Sequence, residues 1–150
     1  MASVVAGARR RALRDGDRQI DTAHLLHSLL ESDPEVRAAF GGGEQVARVL
    51  GYLVQRSIGY GLRWQGSVED SGAMPLPARA GVPGWSPAAV AAMEGARERA
   101  GRRGAPRAGG LDLLAGLAAD RECRAVEVLT RAGVDAPSLA ARIGEPSQQV

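Results

Sequence analysis

The spacing of apolar residues predicts helices along most of the chain. Between residues 4 and 14, Val5, Ala8 and Ala12 recur at spacings of three and four, with arginines between them. This spacing is typical of a helix with one apolar and one charged face. No alternating apolar and polar run predicts a strand. Shorter helical patterns occupy residues 34–40, 44–57, 121–131 and 136–144.

Two stretches carry nearly the same pattern of leucines. They are "DTAHLLHSLL" at residues 21–30 and "GGLDLLAGLA" at residues 109–118. Leu25 and Leu113 are 88 positions apart (113 − 25 = 88), and the next leucines keep that offset. The chain is therefore predicted to be an internal duplication.

The helices before these stretches repeat in the same register. Residues 87–102 resemble residues 4–14, and Gly16 and Gly104 follow the two helices at the same offset. Glycine is favoured directly after a helix C-terminus. Thr22 is predicted to cap the first leucine helix, because its hydroxyl can accept from the N–H groups of the first turn.

These patterns predict an all-α fold of about eight helices. Each half holds four of them, and neither half is expected to bury its apolar face alone. We expect two four-helix repeats related by a pseudo-twofold axis within one domain, residues 1–150. The predicted parts are repeat 1 at about 1–58, a Gly- and Pro-rich linker at 59–85, repeat 2 at about 86–144 and a tail at 145–150.

Composition places the protein in a reducing, aqueous compartment. Its 150 residues contain one cysteine, Cys123, which excludes an internal disulfide. No stretch approaches the roughly 20 apolar residues of a bilayer span. Arginines occupy the N-terminal positions where a signal peptide needs its apolar core. We therefore expect a cytoplasmic protein.

The order of these motifs resembles the N-terminal domain of the Clp (Hsp100-type) chaperone ATPases, also called the Clp repeat. The family's Gly-Thr-Glu-His-Leu-Leu appears as "DTAHLL" at residues 21–26. Its aromatic-Thr/Ser-Pro start of the second repeat appears as "WSP" at residues 85–87, and its "VL…GVD" close lies within residues 128–135. The resemblance covers almost the whole chain.

The resemblance implies a docking module. In the family, this domain docks substrates and adaptors onto a hexameric unfoldase, and some members bind phosphoarginine-marked proteins. The chain has no Gly-x4-Gly-Lys-Ser/Thr phosphate loop, so we expect a stand-alone domain without the ATPase modules. Ala23 and Leu111 replace the family's acidic residue, which removes the carboxylate partner of a guanidinium ligand. The first helix also lacks the family's cap.

A protein- or peptide-binding function follows from the resemblance. We expect an adaptor, a regulator or a decoy for a bacterial Clp unfoldase–protease system. Its partners would be the unfoldase, adaptor or substrate proteins, and small cyclic peptides. The alternative is a DNA-associated regulatory protein that uses the arginine-rich faces of residues 9–18 and 97–107. Acidic residues interrupt both faces, and stacking aromatics are missing, so we expect no nucleic-acid binding.

No arrangement of residues predicts catalysis, a cofactor or a metal site. His24 and His27 lie three apart on a predicted helix, but a zinc site needs a third ligand. We interpret His24 as a satisfied helix-terminal histidine. Cys123 has Arg121 and Arg124 nearby, yet a lone cysteine in an amphipathic helix usually packs. We therefore expect no enzyme.

The predicted binding site centres on Trp85. Pro83 and Ser86 flank it, and Thr22 and His24 complete the set through the resemblance. Trp85 has two interpretations: an inward hydrophobic staple, or an exposed anchor for a partner. The family's use of this edge for ligands favours the anchor.

Overall fold

The computed structural model describes residues 1–17, 19–57, 69 and 84–144. Within these ranges the chain forms eight helices and two short strands. No helix in the described part combines the length and apolar character needed to cross a membrane. The elements are α1 (Ala2–Asp15), β1 (Gln19–Ile20), α2 (Thr22–Ser32), α3 (Pro34–Ala39), α4 (Gly43–Ser57), β2 (Gly84–Trp85), α5 (Pro87–Arg102), α6 (Gly110–Ala119), α7 (Arg124–Arg131) and α8 (Ala136–Gly144).

The predicted all-α fold of two four-helix repeats is confirmed. Both first helices end on a left-handed glycine, Gly16 with φ 69° and Gly104 with φ 73°. The residue after each glycine donates its N–H back across the last turn. These bonds run from Asp17 to the Ala12 carbonyl at 3.0 Å and from Ala105 to the Ala100 carbonyl at 2.9 Å.

The leucines of α2 and α6 form the centre of the core. Both helices are surrounded by other helices, which is why their leucines are removed from solvent. Six of them are 0% exposed: Leu25, Leu26, Leu29, Leu113, Leu114 and Leu117.

The two repeats interlock across the middle of the molecule. Helix α2 packs on α1, α3 and α4 of its own repeat and also on α5, α6 and α7 of the other. Helix α3 contacts α6 and α8, and α4 contacts α7. One hydrophobic core therefore runs through both repeats.

The cap of α2 differs from the predicted one. Asp21, not Thr22, is the N-cap residue, and its carboxylate accepts from the N–H of His24 at 3.0 Å. His24 accepts in turn from the Asp21 N–H, which completes a capping box. Thr22 is the first residue of the helix, and its hydroxyl has other partners. Helix α3 has a typical start, with Asp33 as its N-cap and Pro34 in its first turn.

A small parallel sheet was not predicted from the sequence. Strands β1 and β2 pair Gln19 with Gly84 and Ile20 with Trp85. Two residues are too few to produce an alternating pattern, so no periodicity could have revealed the pairing. The sheet joins the end of α1 to the start of α5 and fixes the position of Trp85.

Equivalent backbone carbonyls of the first helices are approached closely in the two repeats. In repeat 1, the hydroxyl of Ser28 on α2 donates to the Val4 carbonyl of α1 at 2.8 Å. The corresponding pair in repeat 2 is Gly116 on α6 and Ala92 on α5, where a Cβ on Gly116 would lie 2.8 Å from the Ala92 carbonyl oxygen. In repeat 1 a hydroxyl hydrogen bond keeps the two helices close. In repeat 2 they are close because Gly116 has no side chain.

We expect Gly116→Ala to destabilise the protein by about 1–3 kcal/mol, since the added methyl group overpacks the α5–α6 contact against backbone. Gly95→Ala is the matched control, because its Cβ would meet nothing within 4 Å. That control should be neutral or stabilising by up to about 1 kcal/mol, as alanine has the higher helix propensity. Urea unfolding measures both; equal stabilities would contradict the close approach.

Candidate functional site

Polar side chains gather at the seam between the repeats, where the N-termini of α2, α5 and α7 meet. Each of these residues, taken as a whole, is at most 8% exposed. A buried polar group is tolerated when its hydrogen bonds are made within the protein. We call this group the seam cluster: Asp21, Thr22, His24, Glu69, Ser86 and Arg124.

Glu69 is the centre of the seam cluster. Its carboxylate accepts from Thr22 twice, from the N–H at 2.9 Å and the hydroxyl at 2.5 Å. It also accepts from the Ser86 hydroxyl at 2.8 Å and from the Arg124 N–H at 2.7 Å. The N–H groups at helix N-termini attract a negative charge. One carboxylate therefore ties the starts of three helices together.

A second set of bonds links the repeats directly. Arg124 of α7 donates to the Asp21 carboxylate at 2.9 Å, and the Ala125 N–H donates to the Thr22 hydroxyl at 3.0 Å. Both ionic side chains are buried, with 9% of Arg124 and 1% of Asp21 exposed. Removing one partner of such a pair leaves an uncompensated buried charge.

His24 is a satisfied core histidine, as predicted. It is 0% exposed, its Nδ1 accepts from the Asp21 N–H at 2.9 Å, and its Nε2 lies 2.7 Å from Asp17 Oδ2. Repeat 2 places Asp112 at the same position, where it accepts from the Gly109 N–H at 2.8 Å. The two residues have the same capping role through different chemistry.

Trp85 lies beside the seam cluster at the surface. It is half-buried and packs against the hydrophobic core on one side. The Arg9 guanidinium sits 5.7 Å from the centre of its ring, within the range of a cation–π interaction. Directly after it, the Ser86 N–H donates to the Ile20 carbonyl at 2.9 Å. The backbone is thus fixed at Trp85 and directly after it, while part of the indole faces solvent.

Four of the five predicted site residues come together at this seam. Thr22, His24 and Ser86 are buried and hydrogen-bonded within the protein. Trp85 is the accessible member, and Pro83 lies outside the described residues. That these residues bind a partner stays a prediction. Glu69 was missed, because a single acid in a Gly- and Pro-rich stretch has no distinguishing pattern.

A second surface feature is a shallow groove between α1 and α2. Three arginines surround it, and Leu13 contributes a side chain that is 48% exposed. Arg11 also donates to both oxygens of Glu31 at 2.9 Å. The groove is lined by Gly7, Arg10, Arg11, Leu13, Arg14 and Glu31.

Several arginines on the two helix faces considered for nucleic-acid binding have intramolecular partners. Arg103 pairs with Asp112, and Arg99 donates to the Ile143 carbonyl at 2.6 Å. These bonds use donors that phosphate contacts would need. They support the interpretation of the arginine faces as ordinary helix surfaces.

His27 and Cys123 are packed side chains. Burial, followed by the charge of Arg11, lowers the pKa of His27 to about 4, so the imidazole is neutral at physiological pH. Its Nε2 faces Glu31 at 3.4 Å, so it and His24 point to different partners. Cys123 is 2% exposed, and burial raises the pKa of its thiol to about 11. Such a thiol is a poor nucleophile.

Comparison with known proteins supports the fold. The structure is similar to the N-terminal domain of the caseinolytic protease associated chaperone ClpD from Arabidopsis thaliana, with a TM-score of 0.63 and 19% identity; the match covers 95% of this chain and 88% of that one. A structure described as a preliminary investigation of a malarial protein secretion system matches with a TM-score of 0.65, 17% identity and coverage of 95% and 88%. No protein-family model and no curated protein matches the sequence. The chain therefore has a Clp N-domain-like fold.

Removal of the Glu69 carboxylate should destabilise the whole molecule. Glu69→Ala leaves buried donors of Thr22, Ser86 and Arg124 without an acceptor, and each unsatisfied group costs about 1–3 kcal/mol. We expect a loss of at least about 2 kcal/mol in urea unfolding. Glu94→Ala on the exposed face of α5 is the control, with a change within about 0.5 kcal/mol. Similar values for the two variants would contradict the role of Glu69.

The lowered pKa of His27 predicts a loss of stability in mild acid. The unfolded chain binds a proton at His27 below the ordinary pKa of 6.5, whereas the folded chain does so only near 4. The unfolding free energy should therefore fall as pH drops from 6.5 to 4. His27→Gln should flatten this dependence in urea titrations at several pH values. An unchanged pH profile in that variant would be inconsistent with a neutral, buried His27.

Proposed function

We propose that this protein is a non-enzymatic docking module for proteins or peptides of a Clp unfoldase–protease system. The observation that carries the proposal is Trp85, a half-buried indole held rigidly beside the seam of a Clp N-domain-like fold. Partly accessible tryptophans in fixed positions are favoured as anchors of protein interfaces.

The surroundings of Trp85 support its role as an anchor. Pairing of β1 with β2 fixes its backbone, and the Ser86 cap starts α5 immediately after it. A side chain held in this way loses little conformational freedom on binding, so less of the interaction energy is spent on ordering. Arg9 beside the ring adds a positive charge that suits a partner with an acidic group next to an apolar one.

A docking domain of this fold suits three related roles. It could dock a substrate as an adaptor, occupy the unfoldase as a regulator, or sequester its ligands as a decoy. Each role needs one exposed binding surface and no nucleotide chemistry. We place the protein in a bacterial cytoplasm and include small cyclic peptides among the ligands, since a partly accessible indole suits them.

The residues directly before His24 and its counterpart Asp112 are unsuited to recognition of a guanidinium. Ala23 is 0% exposed and Leu111 packs partly against the core. Neither offers the carboxylate that would pair with phosphoarginine. The proposed ligand is therefore recognised through apolar and aromatic contacts near Trp85.

DNA binding is not proposed, because no contact or surface of the described residues favours it. Salt dependence distinguishes the two functions. Phosphate contacts would make the affinity fall steeply with salt, whereas an apolar docking site would respond weakly.

Trp85→Ala tests the docking surface. If Trp85 is the anchor, the variant should lose about 2 kcal/mol or more of affinity for the Clp unfoldase, roughly thirtyfold in dissociation constant. Titration of the purified unfoldase with each variant measures the affinity, and thermal unfolding measures stability. Leu13→Ala is the matched control, since it removes an exposed apolar side chain from the groove between α1 and α2.

The two measurements separate the interpretations of Trp85. Weaker binding by Trp85→Ala and normal binding by Leu13→Ala support the proposal. A lower melting temperature with unchanged affinity would show that the indole serves only as an inward staple. Normal binding by Trp85→Ala with weak binding by Leu13→Ala would move the docking surface to the groove.

A further inference from the structure

Two carboxylates and an imidazole converge where α1 ends and α2 begins. One carboxylate oxygen of Asp15, one of Asp17 and a ring nitrogen of His24 lie within 4.8 Å of one another. Asp15 and Asp17 flank the left-handed turn at Gly16, which brings both acids to the same side as the first turn of α2. This set does not include His27, the partner considered for His24 from the sequence.

Asp15 carries a buried charge that the described part of the chain does not satisfy. Its side chain is 9% exposed, and its Oδ2 accepts no hydrogen bond from any described residue. The other oxygen, Oδ1, lies 3.8 Å from Nε of Arg14, whose side chain is 67% exposed. An ionised carboxylate in such a position is unfavourable without a cation or donors close to it. The site therefore favours the binding of a positive ion.

The second repeat supplies an internal comparison. Arg103 and Asp112 occupy the positions that Asp15 and His24 occupy in repeat 1, at the same offset of 88 (103 − 15 = 88; 112 − 24 = 88). There the two side chains form an ion pair with two hydrogen bonds. Repeat 1 has an acid where repeat 2 has the arginine. The ion pair of repeat 2 is therefore replaced in repeat 1 by an acid and an imidazole.

His24 is oriented as a metal ligand needs to be. Its Nδ1 lies 2.9 Å from both the N–H and the carboxylate Oδ1 of Asp21. Without an ion, Nδ1 accepts from that N–H, so the ring proton is on Nε2 and faces Asp17. With an ion on Nε2, the ring proton would move to Nδ1, where the Asp21 carboxylate would accept it. Arg124 holds the Asp21 carboxylate in place from the other repeat. A carboxylate behind the imidazole is the usual second partner of a metal-binding histidine.

We propose that Asp15, Asp17 and His24 bind one divalent transition-metal ion of the zinc class. A set of one imidazole nitrogen and two carboxylate oxygens suits zinc, whereas magnesium and calcium prefer oxygen ligands alone. The ion would replace the proton now shared between His24 Nε2 and Asp17. Water would complete its coordination, since three protein ligands leave a fourth position open.

Zinc titration of the purified protein tests this site. Isothermal calorimetry with Zn²⁺ should show one ion bound per chain. Asp15→Asn should weaken binding by at least about tenfold, since an amide is a poor ligand and loss of even an outer partner has an effect of that size. Asp17→Asn gives a second, independent test with the same expected result. Excess Mg²⁺ should not compete.

Glu94→Gln is the matched control. It removes one negative charge from an exposed position on α5, so it separates the loss of a ligand from a change in net charge. It should bind Zn²⁺ like the unaltered chain. Zn²⁺ should also raise the melting temperature of the unaltered and control proteins but not that of Asp15→Asn, and circular dichroism checks that each variant remains helical.

Three outcomes would overturn the proposal. They are the absence of binding at millimolar Zn²⁺, equal affinities of folded Asp15→Asn and the unaltered chain, and equally tight binding of Mg²⁺. Co²⁺ provides a separate readout, because its visible absorption reports a nitrogen and oxygen ligand set. That absorption should appear in the unaltered protein and disappear in Asp15→Asn and Asp17→Asn.

Discussion

The arrangement of the two repeats depends on a single carboxylate in their seam. Glu69 accepts from the first residue of α2, from the cap of α5 and from the first residue of α7. Because these helices belong to different repeats, the carboxylate satisfies buried donors on both sides at once. The ion pair between Asp21 and Arg124 strengthens the same junction. Through the Ser86 hydroxyl, the same contact reaches the residue directly after Trp85.

The two repeats share their backbone geometry but differ in the side chains at equivalent positions. At the contact between the first two helices of each repeat, Ser28 donates to the Val4 carbonyl, whereas Gly116 approaches the equivalent Ala92 carbonyl without a side chain. At the start of the leucine helices, His24 and Asp112 accept the same kind of backbone N–H. Backbone positions are thus constrained by packing, while the side chains at them have diverged.

The features that periodicity and turn chemistry determine were predictable from the sequence. The eight helices, the buried leucines, the glycine ends of α1 and α5 and the Asp33 cap of α3 all depend on neighbours in the chain. What could not be predicted depends on residues distant in sequence. Glu69 meets Thr22 and Arg124 only after folding, and the pairing of Ile20 with Trp85 has no local pattern. At the site, Thr22, His24 and Ser86 were predicted from the sequence. Glu69, the acid that binds Thr22 and Ser86, was not.

The shared acceptor in the seam also determines how the molecule opens. The N–H groups of Thr22 and Arg124 belong to different repeats but donate to the same side chain. Fraying normally exposes the N–H groups at a helix end to solvent. Neither of these two N–H groups is exposed by fraying of its own helix alone. Both N–H groups are released when the carboxylate leaves. Local opening in one half is therefore accompanied by loss of protection from hydrogen exchange in the other half. The repeat is the unit that was duplicated, whereas the cooperative unit of stability contains both copies.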